Sequence, residues 1–122
     1  LEKILLKVYS VLNSERAILE EDANIIYKLI YDEFKKGNCV ELDFSGISYI
    51  NTAFLNVAIG KFYNTEFGAN FVDKHLFILG MEDEHDRNIL EKVVSRAIEY
   101  FSGDSEKIRR SIEKILGEKS ND

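Results

Sequence analysis

The sequence has 122 residues, the length of one ordinary domain, so a second independent core is not expected. Hydrophobic residues make up 45% and charged residues 31%, and 16 basic against 22 acidic side chains leave a formal net charge of -6. This balance excludes nucleic acid as the main partner and anchoring to anionic lipid, because both need clustered Lys and Arg. Cys39 is the single cysteine, which rules out an internal disulfide and any multi-cysteine metal site and fits a reducing cytosol. No stretch approaches the roughly 20 apolar residues of a membrane span. Leu1 to Val8 is too short and too charged for a signal peptide, and an opening Leu1 in place of Met reads as a trimmed start. The expected compartment is cytoplasmic.

In chain order, Ile4–Tyr9 reads as a strand and Asn13 to Arg16 as a turn. Ala17 to Leu19 is either a short returning strand or the first turn of a helix, since three residues carry no period. From Glu20 to Lys36 the steps of Leu19, Ala23, Ile26, Ile30 and Phe34 predict a helix, stopped at Gly37. Cys39 to Phe44 alternates Val40, Leu42 and Phe44 with Glu41 and Asp43, which predicts a strand. Ser45 and Gly46 turn, Ile47 to Ile50 returns to an apolar rhythm, and Asn51 or Thr52 caps a helix over 53–64. Its inner face is expected to be Phe54, Leu55, Ala58, Ile59 and Phe62. Gly68 to Asn70 reads as a loop, and His75 to Gly80 as a strand buried on both faces. A helix to Phe101 follows with Ile89, Leu90, Val93, Val94, Ala97, Ile98 and Phe101 inward, closed by Gly103. Asp104 or Ser105 caps a last helix that carries Ile108, Ile112, Ile115 and Leu116 on one face and stops at Gly117. Residues 118–122 read as a frayed tail. This order predicts an α/β domain over 1–102, with a mixed, mostly parallel sheet of about four strands, and a C-terminal amphipathic helix and tail over 103–122.

Motifs of catalysis are missing: there is no Gly-rich phosphate loop, no nucleophile elbow and no H-E-x-x-H helix. The run Glu82-Asp83-Glu84-His85-Asp86 holds metal-binding residue types, but without the ligand spacing of a calcium loop it reads as a helix start favoured by the dipole. Cys39 has no visible base and reads as core, while Glu41 and Asp43 share one strand face as solvated acids. Lys107, Arg109, Arg110 and Lys114 are diluted by Glu106, Glu113 and Glu118, so the last helix has a solvated outer face. Its apolar stripe docks on the domain or on a second copy. No catalytic residue, metal or cofactor is expected, and the chain reads as a non-enzyme.

One segment is more specific. Leu42-Asp43-Phe44-Ser45-Gly46-Ile47, followed by Asn51-Thr52-Ala53-Phe54, resembles the STAS fold of sulfate transporters and anti-sigma factor antagonists, and most of all the STAS-like branch of uncharacterised bacterial domains, with its LDF-x-G-[VI] pattern. The resemblance runs from about Glu20 to Phe101. In anti-sigma factor antagonists the second helix opens Asp-Ser-Ser-Gly-Leu, and the second Ser takes phosphate from a partner kinase. On that alignment Ala53 stands at the phosphorylated Ser, without a hydroxyl, and Thr52 at the first Ser. Thr52 is then either a phosphoacceptor beside a helix N-terminus or a simple cap. The STAS-like branch often has an Arg at the start of its first helix, where this sequence has Glu20.

The resemblance implies a regulatory module that binds a signalling protein such as a histidine-kinase-like ATPase. Independently, the C-terminal ends of strands in an open α/β sheet are where ligands and partners bind. The expected surface is 43–55: Asp43, Asn51 and Thr52 at its centre, Ser45 and Ser48 as a polar rim, Tyr49 and Phe54 as aromatic anchors. The alternative is a small-ligand or nucleotide sensor at the same helix start.

Overall fold

The computed structural model describes residues 1–101 and 105–117. Expectations for Gly103, for Asp104 or Ser105 as a cap, for the Phe101 side chain and for 118–122 lie outside the described residues.

Alternation builds the sheet. The strands β1 (Lys3–Lys7), β3 (Cys39–Asp43) and β5 (Leu76–Leu79) lie in the order β1-β3-β5, all parallel. Register places Ile4, Val40 and Leu76 side by side, and Leu6, Leu42 and Ile78 next to them, so one face is continuous apolar surface. Lys3, Leu5 and Lys7 lie on the other face, with Cys39, Glu41, Asp43, Phe77 and Leu79. There Lys3 sits over the Phe77 ring at 5.2 Å. The fifth strand is thus covered on one face, not two: Leu76 and Ile78 are buried, while Leu79 is exposed. Cys39 also lies on this outer face, half-buried, with its thiol donating to the Lys74 carbonyl at 3.6 Å, and is not a core residue.

A second parallel pair, β2 (Arg16–Ala17) with β4 (Tyr49–Ile50), stands apart as its own two-stranded sheet. The single sheet of about four strands is therefore two sheets, both parallel.

Six helices are present among the described residues: α1 (Val8–Leu12), α2 (Glu20–Lys35), α3 (Thr52–Ala58), α4 (Gly68–His75), α5 (Glu84–Phe101) and α6 (Ser105–Leu116). The first takes Val8 and Tyr9, the last two residues of the predicted strand 4–9. Val8 and Leu12 point inward one helical turn apart, and Asn13 ends the turn at φ 51, a left-handed geometry that Asn tolerates. Helix α2 buries Ala23, Ile26, Ile30 and Phe34, leaves Leu19 exposed, and stops at Gly37 with φ 81. The predicted helix 53–64 is two pieces: α3 ends at Ala58 and 60–64 is a 3-10 turn. All five of its inner-face residues are nonetheless buried.

The predicted loop at Gly68 is the start of α4. Phe67, Phe71 and His75 recur every four residues; Phe67 and Phe71 meet tilted at 5.0 Å between ring centroids, and Phe71 stacks on His75 at 3.7 Å. Phe34 meets Phe62, Phe67 and Phe71 edge-on at 5.0–5.4 Å, so an aromatic cluster holds the end of the domain opposite the C-terminal ends of the strands. Helix α6 docks on its own domain. Ile115 and Ser111 are buried, and the Ser111 hydroxyl donates to Asp73 Oδ2 at 2.9 Å.

Candidate functional site

Because β1, β3 and β5 are parallel, their C-terminal ends open on one edge. Lys7 and Asp43 are register partners there, and Leu79 is next to Asp43. Beyond Asp43 the chain turns at once. The Asp43 Oδ1 accepts the Ser45 N–H at 2.9 Å, the Ile47 N–H reaches the Phe44 carbonyl at 3.0 Å, and the Phe44 N–H bonds the Leu79 carbonyl at 2.8 Å. Gly46 sits at φ 86 with the Tyr9 ring against it.

The neighbouring Ser45 hydroxyl holds the Asp43 carboxyl below its usual range; partial burial opposes this, and the Ser45 N–H and the Lys7 charge add to it. A depressed folded value means stability that is present above the unfolded carboxylate value of about 4 and is lost as pH falls through the lower folded one. Wild type is therefore expected to exceed Asp43→Asn in urea stability at pH 6, with the gap closing below about pH 4. A gap that does not narrow at all as the pH falls below about 4 would show that the charge is not its source.

The next segment is pinned from the other side. The Ser48 and Tyr49 N–H groups both bond the Glu15 carbonyl, at 2.8 and 3.2 Å, and Arg16 lies 4.8 Å from the centre of the Tyr49 ring. Asn51 joins three elements. Its Oδ1 caps α3 by accepting the Phe54 N–H at 2.8 Å, and its Nδ2 donates to the Ile18 carbonyl at 3.2 Å. Asn51→Ala is expected to cost about 1–2 kcal/mol in chemical denaturation. Asn51→Asp keeps the cap acceptor and loses the donor, so it should fall between the two.

Asn51, not Thr52, is the cap. The Thr52 side chain is half-buried at the first helical position and Ala53 is exposed beside it. Phe54 is corrected outright: at 0% exposure it belongs to the core and cannot anchor a partner. The helix start offers little to a small anion, since α3 has seven residues and Asn51 already accepts from Phe54.

The surface that remains carries Tyr49 at 52% exposure, with Ser45 and Ser48 exposed near it. The residues after β5 join it. A cleft of about 390 Å³ separates Arg16, Ser48 and Tyr49 from Asp83, His85 and Asp86, and a smaller one of about 170 Å³ runs beneath Ile47 and Gly80. Asp83 caps α5, accepting the His85 and Asp86 N–H groups at 2.8 and 3.2 Å. Burial, and then the Asp83 charge, push the Asp86 carboxyl up, against the opposing effect of His85. The sequence reading placed this acidic run at a helix start and missed that it faces Tyr49. Parallel order was the available signal, since it brings the ends of β3 and β5 together.

Other chemistry-bearing residues lie apart from this edge. His75 is stacked on Phe71, and its Nδ1 lies 2.8 Å from the Phe71 carbonyl, a contact that needs the proton on Nδ1. Arg109 pairs with Glu106 and Glu113 on the outer side of α6. No group of three or more His, Cys, Asp or Glu among the described residues is placed to hold a metal ion. No helix among them is long and apolar enough to cross a membrane.

Comparison with known proteins gave no match among curated proteins and none among solved structures. A family model, the STAS-like domain of unknown function (DUF4325), matches residues 22–86, from the first turn of α2 to the start of α5. That is over half of the chain and contains the turn after β3, the Asn51 cap and the acidic loop. This chain belongs to the STAS-like family.

Proposed function

We propose that the chain is a non-enzymatic regulatory module that binds a protein partner, a signalling protein such as a histidine-kinase-like ATPase, through the edge formed by 43–52 and the facing loop 80–86. The observation that carries this reading is Tyr49. It is a large aromatic side chain, half exposed, on a segment held by two backbone bonds to Glu15 and by Asn51 on both sides. Rigid aromatic side chains supply contact area at little cost in entropy, and they are the residues that dominate interfaces. Ser45 and Ser48 give the polar rim, and Thr52, beside the cap, is the position where phosphate would change the charge of that rim. The sensor reading is weaker, because the Asn51 side chain already occupies the helix start.

The test is affinity capture from a lysate of the source cells with the wild-type chain and with a Tyr49→Ala, Ser48→Arg variant. A protein retained by the first and lost by the second, at equal melting temperature, is the expected result. Equal retention by both rejects this surface.

A further inference from the structure

A second concavity opens where the predicted helix 53–64 breaks. Helix α3 ends at Ala58, Ile59 leaves helical geometry at φ -125 and ψ -54, and the chain tightens into the 3-10 turn. The break leaves a cleft of about 580 Å³ between α2, α3, the 3-10 turn and α5. Small-molecule sites fall at roughly 300–1,000 Å³. Its floor depends on Gly60, where a Cβ would lie 3.0 Å from the Val93 side chain, so the turn packs directly on α5.

Six polar side chains stand around that floor: Glu20, Asn24, Asn56, Lys61, Asn64 and Arg96. All six are exposed to solvent, so the cleft is open, and none of them makes a side-chain hydrogen bond or ion pair among the described residues. On a chain of net charge -6, two cations against one carboxylate is a local reversal of sign. The charges are also spread out. Lys61 lies 4.5 Å from the centre of the Tyr27 ring, and Tyr27 is two helical turns along α2 from Glu20, about 10 Å.

We propose that this cleft binds a small phosphorylated polyol, a sugar phosphate. Arg96 and Lys61 take the phosphate, Arg96 with its planar fork of donors. The three carboxamides both donate and accept, which is what hydroxyl groups require, and Glu20 accepts from hydroxyls at the far end. A ligand charged along its whole length would meet Glu20, so the anion belongs at one end only. Hydroxyl groups alone exchange water bonds for protein bonds at small net gain, so affinity rests on the phosphate.

The test uses the full chain in calorimetric titration and thermal shift with ribose 5-phosphate, glucose 6-phosphate, free ribose and inorganic phosphate. Either sugar phosphate is expected to raise the melting temperature with concentration, and to bind at least about tenfold more tightly than ribose or phosphate alone. Lys61→Gln with Arg96→Gln should weaken that binding at least about tenfold while the unliganded melting temperature holds. Asn56→Leu should weaken the sugar phosphates and leave inorganic phosphate unchanged. Three results overturn the proposal: no shift with either sugar phosphate at about 10 mM, inorganic phosphate binding as tightly as the sugar phosphates, or unchanged binding by the double variant. Tyr49→Ala should bind the sugar phosphates as wild type does, so this site and the partner edge fail or stand separately.

Discussion

Replacing Gly80 by alanine is expected to lower the unfolding free energy by about 3 kcal/mol or more. Two effects add. Gly80 sits at φ 73, where an L side chain meets its own backbone. A Cβ there would also overlap the Asp43 carboxylate together with the Ser45 backbone N–H and hydroxyl. The turn cannot simply yield, because the Phe44 N–H is tied to the Leu79 carbonyl at 2.8 Å, one residue before Gly80. Gly68 is the matched control. Its φ is 72 and nothing lies within 4 Å of its would-be Cβ, so Gly68→Ala should carry the conformational cost alone, about 1–2 kcal/mol. Urea denaturation of both variants separates strain from overlap. If Gly80→Ala is no worse than Gly68→Ala, the contact between the β5 end and the Asp43 turn is not what holds this edge together. In the expected case the Gly80 variant should also lose partner capture, since the Asp43 turn and the 80–86 loop move together.

Phe54→Ala should be costlier still, at about 3–5 kcal/mol. The ring is fully buried at the start of α3, and truncation removes its transfer free energy and leaves a cavity that a close-packed interior fills only in part. Against a total stability of about 5–15 kcal/mol, the variant is expected to be partly unfolded at 37 °C, visible as a lower midpoint in urea and in heat. Tyr49→Ala is the contrast. It gives up an exposed ring and one Arg16 contact, together about 1 kcal/mol or less. A Tyr49 variant that melts as early as Phe54→Ala would mean that Tyr49 serves the fold, and the proposed contact surface would go with it.

The pair shows how far the sequence could be read. The 51–55 segment was legible as a helix start, and Phe54 was legible as an inner-face residue from its spacing with Leu55, Ala58 and Ile59. Its second assignment, as a surface anchor, failed because one ring cannot fill the core and face a partner. Val8 and Tyr9 read as the end of a strand because Val and Tyr suit strands, and only the inward pairing of Val8 with Leu12 reveals the helical turn. Gly68 and Asn70 suggested a loop, yet the four-residue step of Phe67, Phe71 and His75 outweighed them through ring contacts. The break at Ile59 left no trace in sequence. The apolar rhythm runs through it, since Ile59 and Phe62 are buried whether the turn is α or 3-10.

By itself the sequence determined what depends on near neighbours along the chain: the alternation of Cys39–Asp43, the buried face of α2, the left-handed stop at Gly37, and the Asp43–Phe54 segment that carries the resemblance, which lies inside the matched residues 22–86. Only the tertiary structure decided what those elements face. Parallel pairing brought the end of β5 and its acidic loop opposite Tyr49, the Glu15 carbonyl pinned the segment that carries Tyr49, and the broken helix opened a polar cleft against α5. The physical reason is one of range. Dihedral preference, capping and hydrophobic period act within a turn or two of the chain, whereas both candidate surfaces are made by residues from three or more elements whose meeting depends on the packing of the whole core.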